Sequence, residues 1–589
     1  MKKNLLFGFL MLVGVSSFAQ TIGNAFFDKV NYRGAFDAND WTSGWANFNP
    51  ETTVYPTPEV TLTGNITSSQ TLGSPLYGAA SFTDTAVADS FFTKVDYVGA
   101  FGKTDWTSGW ANFNPQTTVY PATTTTISGN ITTSTTWTKS SVYLLTGFVR
   151  VQSGATLTIE PGTVIRGDKA TTGALIIEPG AKLIANGTAA NPIVFTSNQD
   201  PGSRTYGDWG GVVLVGNAPV NQTSPVVEGG IGNTYGGSDA TDNSGSLQYV
   251  RIEFPGVALT TTANSEINGL TFCGVGSGTT IDYVQVSYSG DDSYEWFGGT
   301  VNCKHLIAFR GLDDDFDTDY GFSGMVQFGV SLRDPDEADS SKSNSFESDN
   351  DGSGSTNTPF TSAVFSNISS FGPLATASTT IDTYFQAAMH IRRSSKLKVY
   401  NSVFAGWPKG IIIDGTNSQA SADAGDLVVK NTILAGCTTN FAPASPTTWA
   451  EETWFNTAGF SNTTYTNNSD LGVNDPFSLD APDFTLTSAS PLLAGSYWDA
   501  SSGIISSSSG NNALTVYPNP AVSEVNVVLP TYDGVSTIQI QDLTGKTLLN
   551  KAAKNSESET VDVTSLNQGV YLISVRQGNT LYNQRLIVK

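Results

Sequence analysis

The chain has 589 residues, with 29 Lys and Arg against 52 Asp and Glu, for a formal net charge of −23. A surface this acidic repels DNA, RNA and anionic lipid, which excludes nucleic-acid partners. With only two histidines, His305 and His390, and three cysteines, Cys273, Cys303 and Cys437, a His-rich zinc site, a His-based triad and a full disulfide framework are all disfavoured.

Residues 1–19 read as a secretory signal peptide. Two lysines precede the apolar run from Leu5 to Val15, and Ser17-Phe18-Ala19 forms a small-residue cleavage site. That run is too short to span a bilayer, and no transmembrane segment is expected in the mature chain. Two Trp-rich modules follow, at 20–85 and 86–122. Phe26 to Phe36 returns as Phe91 to Phe101, and Trp41 to Pro50 returns as Trp106 to Pro115. The register persists to Gly64-Asn65-Ile66-Thr67 and Gly129-Asn130-Ile131-Thr132, so each copy includes a lead-in to a first strand. Only the second copy continues into a longer repeat, and the first reads as a collapsed unit. Trp41, Trp45, Trp106 and Trp110 admit two readings: stacking platforms for a sugar ring, or the small core of a cap over an open end.

From Gly154 the pattern is repetitive. Thr156-Leu157-Thr158-Ile159-Glu160-Pro161-Gly162 is echoed by Ala174-Leu175-Ile176-Ile177-Glu178-Pro179-Gly180. Short β strands cornered by Pro-Gly fit stacked coils, each covering the apolar side of the next about 4.8 Å away. Asn367, Asn401 and Asn431 each stand five residues before a Gly, a spacing that suits an inward, buried Asn ladder along the axis. On these residues the stretch 123–500 resembles the right-handed parallel β-helix superfamily that includes pectate-lyase-like proteins. The expected fold is therefore all-β: a right-handed parallel β-helix with small N-terminal cap modules and a C-terminal antiparallel β-sandwich.

Acidic loops accumulate within the repeat. Asp313, Asp315, Asp317 and Asp319 stand along one segment, and strand geometry would turn Asp315, Asp317 and Asp319 to one side. Asp349 and Asp351 stand in a run of oxygen-bearing residues that ends in Gly, as in an abbreviated calcium loop. Calcium takes six to eight oxygens, so these six residues are the expected Ca2+ ligands; the bland alternative is a set of solvated loops. The β-helix resemblance adds a catalytic reading. Lyases of that superfamily pair calcium with a Lys or Arg base, for which Lys304, Arg310, Arg392 and Arg393 are the candidates. An Arg beside carboxylates is held protonated and makes a poor base.

Residues 501–512 form a Ser/Gly linker. Beyond it, Val516-Tyr517-Pro518-Asn519-Pro520 opens a module of alternating strands over 513–589, with an Asp542-Leu543-Thr544-Gly545-Lys546 turn and Leu566-Asn567-Gln568-Gly569-Val570-Tyr571. It resembles the type A C-terminal sorting domain of the type IX secretion system. That resemblance implies a Bacteroidota host, the type IX machinery as partner, and release outside the cell or attachment to its surface. Two functions stay open: a non-catalytic adhesin, coat or polysaccharide-binding scaffold, and a calcium-dependent polysaccharide lyase or glycoside hydrolase.

Overall fold

The computed structural model describes residues 84–493, apart from 96, 259–265, 445 and 447, together with the strands between 515 and 588. The signal peptide, the first Trp-rich module with Trp41 and Trp45, and the linker lie outside the described residues. Twenty-six strands between Thr125 and Tyr465 form one continuous parallel system, a solenoid. The repeated Pro-Gly corners work as expected. Gly162 and Gly180 sit at φ +84° and +79°, left-handed values that glycine adopts without penalty.

Three strand stacks run along the axis. In the first two, long strands such as Gly245–Glu253 and Thr280–Ser287 pass from one stack to the next through a bend. At that bend Tyr249, Tyr283, His305, Phe328, Asn367, Asn401 and Asn431 all carry φ between +49° and +62°. The register of the flanking residues places them in one column. Its first half is a stack of rings: Tyr249 on Tyr283 at 4.4 Å, Tyr283 on His305 at 4.1 Å, His305 on Phe328 at 4.9 Å. Its second half is an Asn ladder, but one that faces outward under the strap rather than inward as expected, and that runs through Ser366. Asn431 donates to Asn401 at 3.3 Å, Asn401 donates to Ser366, and Ser366 donates to Asn367.

The second Trp-rich module does not close an end of the solenoid. Residues 84–122 lie along its flank as a strap over this column. Asp84 pairs with Lys430 at 2.8 Å. Asn367 donates to the Gly99 carbonyl at 3.1 Å. Trp106 meets His305 edge-on at 5.1 Å, and Trp110 meets Tyr249 edge-on at 5.8 Å. Tyr120 donates to Glu253 at 2.8 Å, and Arg166 donates to the Pro121 carbonyl. The cap expectation fails because the apolar surface that needs covering is the aromatic column on the side. Trp110 is buried, and each indole N–H is spent within the strap, Trp106 on the Ala100 carbonyl and Trp110 on the Trp106 carbonyl. In this chain neither described Trp offers a free platform for a sugar.

The C-terminal strands build two antiparallel sheets, one of three strands and one of four, as the alternation over 513–589 predicts. Val525, Val527, Ile538, Ile540, Ile573 and Val575 are among the residues of their shared core. Cys273, Cys303 and Cys437 are all free. Among the described residues no helix is long and apolar enough to cross a membrane.

Candidate metal centre

The third stack carries the site. Its strands include Leu270–Val275, Tyr294–Gly299, Phe316–Asp319, Phe346–Ser348 and Ala387–Ile391, all parallel and in register. Inward residues such as Phe272, Trp296, Phe316 and Phe346 fill the solenoid. Outward, one row reads Val213, Thr271, Glu295, Asp317, Glu347, His390, Ile412 from coil to coil. A strand's two-residue period keeps every second side chain on this face, and the coil repeat stacks them about 4.8 Å apart. The centre of the row is therefore three successive carboxylates.

The turns leading into these strands add more. Asp291 and Asp292 precede Tyr294, and Asp313, Asp314 and Asp315 precede Phe316. The turns stack on one another: the Asp314 N–H donates to an Asp292 carboxylate oxygen at 2.8 Å, and the Asn344 N–H donates to Asp314. Three groups of carboxylates result, each with ligand oxygens within 4.8 Å of one another: Asp291, Asp292 and Asp313; Asp292, Glu295 and Asp317; Asp314, Asp317 and Glu347.

Burial makes these charges costly. Asp291, Asp292, Glu295, Asp314 and Asp317 are all pushed well above the usual carboxylate range, first by burial and then by neighbouring carboxylates. Burial raises Asp313 to about 6 and Glu347 to about 7, the latter despite Arg392 beside it. Several buried oxygens have no hydrogen-bond donor: Oδ1 of Asp313, Oδ1 of Asp317, Oγ1 of Thr271 and Oδ1 of Asn268. An all-oxygen set at this spacing fits a hard divalent cation. Oxygens on opposite sides of a calcium ion, each about 2.4 Å from it, lie about 4.8 Å apart.

The sequence expectation is corrected in four of its six ligands. Asp313 and Asp317 belong to the cluster. Asp315 does not share their side: it precedes the strand, turns into the body and pairs with Arg333 at 2.9 Å, both side chains fully buried. Asp349 is held by Arg392 at 2.9 Å and Arg393 at 2.6 Å. Burial would raise Asp351, yet the hydrogen bonds it accepts from Ser353 and Ser355 within its own turn together outweigh that and lower it to about 2. Asp319 accepts from the Tyr320 N–H and stands outside the three groups. Asp291, Asp292, Glu295, Asp314 and Glu347 take the vacant roles. The signal that could have found them is an acid directly after an aromatic strand start, in Tyr294-Glu295, Phe316-Asp317 and Phe346-Glu347, with further acids two or three residues before the first two of these starts.

The base candidates are all engaged. Lys304 lies on the strap-covered flank, donating to Thr93 at 2.9 Å and resting 4.8 Å over the Phe91 ring. Arg310 pairs with Asp334 and lies 4.9 Å over the Tyr288 ring. Arg392 is clamped between Glu347 and Asp349. Burial alone would lower Arg392, yet those two carboxylates more than offset it and hold the guanidinium above its ordinary value. His390, next in the outward row, is lowered to about 4 by burial and then by Arg392, so it is neutral at pH 7. A cavity of about 400 Å³ opens beside it, lined by Arg392, Arg393, Asp414 and the first turn of the helix Thr416–Ala424.

Comparison with known proteins agrees with the fold. The family described as pectate-lyase like β-helix domain matches residues 129–474, and the secretion system C-terminal sorting domain matches residues 515–589. The chain belongs to the pectate-lyase-like β-helix family. Its sorting tail marks it for the type IX secretion machinery, and so for the cell surface or the extracellular space. No curated protein matches it. Two solved structures show some likeness. One is the enzymatically active domain of bacteriophage CBA120 tailspike protein 2, at 9% identity over 76% of this chain and 72% of that one, with a TM-score of 0.20. The other is full-length tailspike protein 2 of an Escherichia coli O157:H7 bacteriophage, at 10% identity over 76% and 64%, with a TM-score of 0.19. Scores this low carry neither fold nor function across.

Proposed function

We propose that this exported β-helix protein is a non-catalytic surface scaffold that binds divalent cations, calcium foremost, and through them an anionic polysaccharide. The observation behind this reading is the run of overlapping carboxylate groups on one outward face. Buried and half-buried acids crowded this closely are stable as anions only with positive charge among them. Arg333 is spent on Asp315, and Arg392 touches the run only at Glu347. Calcium ions with open coordination positions would present charge to a glycan carboxylate or sulfate, and the neighbouring Arg392–Arg393 cavity offers donors to the same chain. A scaffold is favoured over a lyase because Lys304, Arg310 and Arg392 are all committed to other partners.

The test is a glycan array probed with the mature chain in calcium and in chelator. Retention of anionic glycans in calcium only, with the bound glycan recovered at full length, is the expected result. Release of unsaturated uronate ends would convert the scaffold into a lyase, and equal binding in both buffers would remove the cation from the reading.

A further inference from the structure

Resting on that cation reading, we infer that the acidic face holds a chain of ions rather than one, with Asp292 and Asp317 each bridging two neighbouring ions. The three carboxylate groups are not separate: Asp292 belongs to the first and second, and Asp317 to the second and third. A carboxylate has two oxygens and can give one to each of two ions. The row Glu295, Asp317, Glu347 advances one coil at a time, so successive ions would be spaced by the coil repeat of about 4.8 Å.

Charge balance points the same way. The three groups contain seven carboxylates. One divalent ion would leave most of that charge uncompensated beneath the surface, whereas one ion for each of the three groups nearly cancels it. Protein cations substitute at one end only: Arg392 pairs with Glu347, while Arg333 is fully buried against Asp315.

A second, independent observation comes from neutral side chains. Thr271 is 3% exposed, stands one coil before Glu295 in the same outward row, and its hydroxyl has no partner. Asn268 is 1% exposed; its amide N–H donates to Glu295, leaving its own carbonyl oxygen unpartnered. Buried polar atoms are almost always satisfied. These two oxygens flank the middle group, where a bridged ion needs further neutral ligands to reach six or more.

The experiment is native mass spectrometry of the mature full chain titrated with calcium chloride, supported by calorimetric stoichiometry. The wild type should take up one ion for each of the three groups. Asp317→Asn, which touches two groups, should lose two ions; Asp291→Asn and Glu347→Gln, which each touch one, should lose one. Circular dichroism in chelator checks that each variant is folded, and should Asp317→Asn fail that check, the two single-group variants carry the comparison. A wild type that saturates with a single ion overturns the chain, as does an equal loss for Asp317→Asn and Asp291→Asn. A wild type that binds no calcium at all instead overturns the cation reading on which this inference rests.

Discussion

The strap-covered flank and the acidic face are built by the same coils and differ in how their outward side chains are satisfied. On the flank, the outward column is rings and amides, and the chain itself supplies the cover: Trp106 and Trp110 seal the rings while Gly99 and Tyr97 accept from Asn367. On the acidic face, outward carboxylates crowd one another and several oxygens find no donor. A column closed by the protein needs nothing further. A column left with excess charge has none of that closure, which is why we propose binding on one face and stability on the other.

Breaking the flank should have the largest effect. Trp110→Ala removes a buried ring that meets both Tyr249 and Tyr283 edge-on. It should cost about 3–5 kcal/mol, as other buried aromatic truncations do. Urea denaturation in calcium and in chelator should give the same loss. A loss that depended on calcium would mean that the two faces are coupled.

The acidic face should show its charge through pH. In chelator, Glu347 at about 7 and Asp313 at about 6 hold their protons more tightly than the unfolded chain does, whose groups titrate near 4.5 and 3.8. Raised carboxylate values favour the fold below the unfolded pKa, and that contribution disappears as pH rises through the folded values. Stability in chelator should therefore fall between about pH 4 and pH 7, by on the order of 5 kcal/mol. Saturating calcium should flatten or reverse the slope. A chelated melting temperature that rises steadily over this range would refute the unfavourable charge.

The smallest expected effect separates Lys304 from both roles. Lys304→Ala loses a contact to Thr93 and a cation–ring contact to Phe91, at about 0.5–1 kcal/mol. Calcium uptake should not change. Reduced uptake would place Lys304 in the site, against its position under the strap.

The coil architecture was legible because its signals are local: a Pro-Gly corner, a short β-branched strand, a recurring Asn. The sorting module was legible for the same reason. Only a third of the expected ligand set was right, because the set depends on which residues the coils bring level. Asp314 meets Asp292 across 22 residues, Asn344 meets Asp314 across 30, and Arg392 meets Asp349 across 43. Loops of unequal length hide that register from any fixed period. Strict alternation also misplaced Asp315, since the strand begins only at Phe316 and the preceding turn is free to face inward. The strap was invisible for another reason: a Trp pair reads equally well as cap, platform or clasp until the surface it covers is known.

The strap also fixes an order of events. Its first described residue, Asp84, reaches a lysine 346 positions later, and Val98 donates to the carbonyl of Leu492. Residues translated early thus cannot find their seats until almost the whole solenoid has been synthesised and wound. Contacts separated this far along a polypeptide form slowly, because the intervening chain must be ordered first. The N-terminal segment is therefore made among the first and fastened among the last, like a buckle, and its closure marks the coils beneath it as finished.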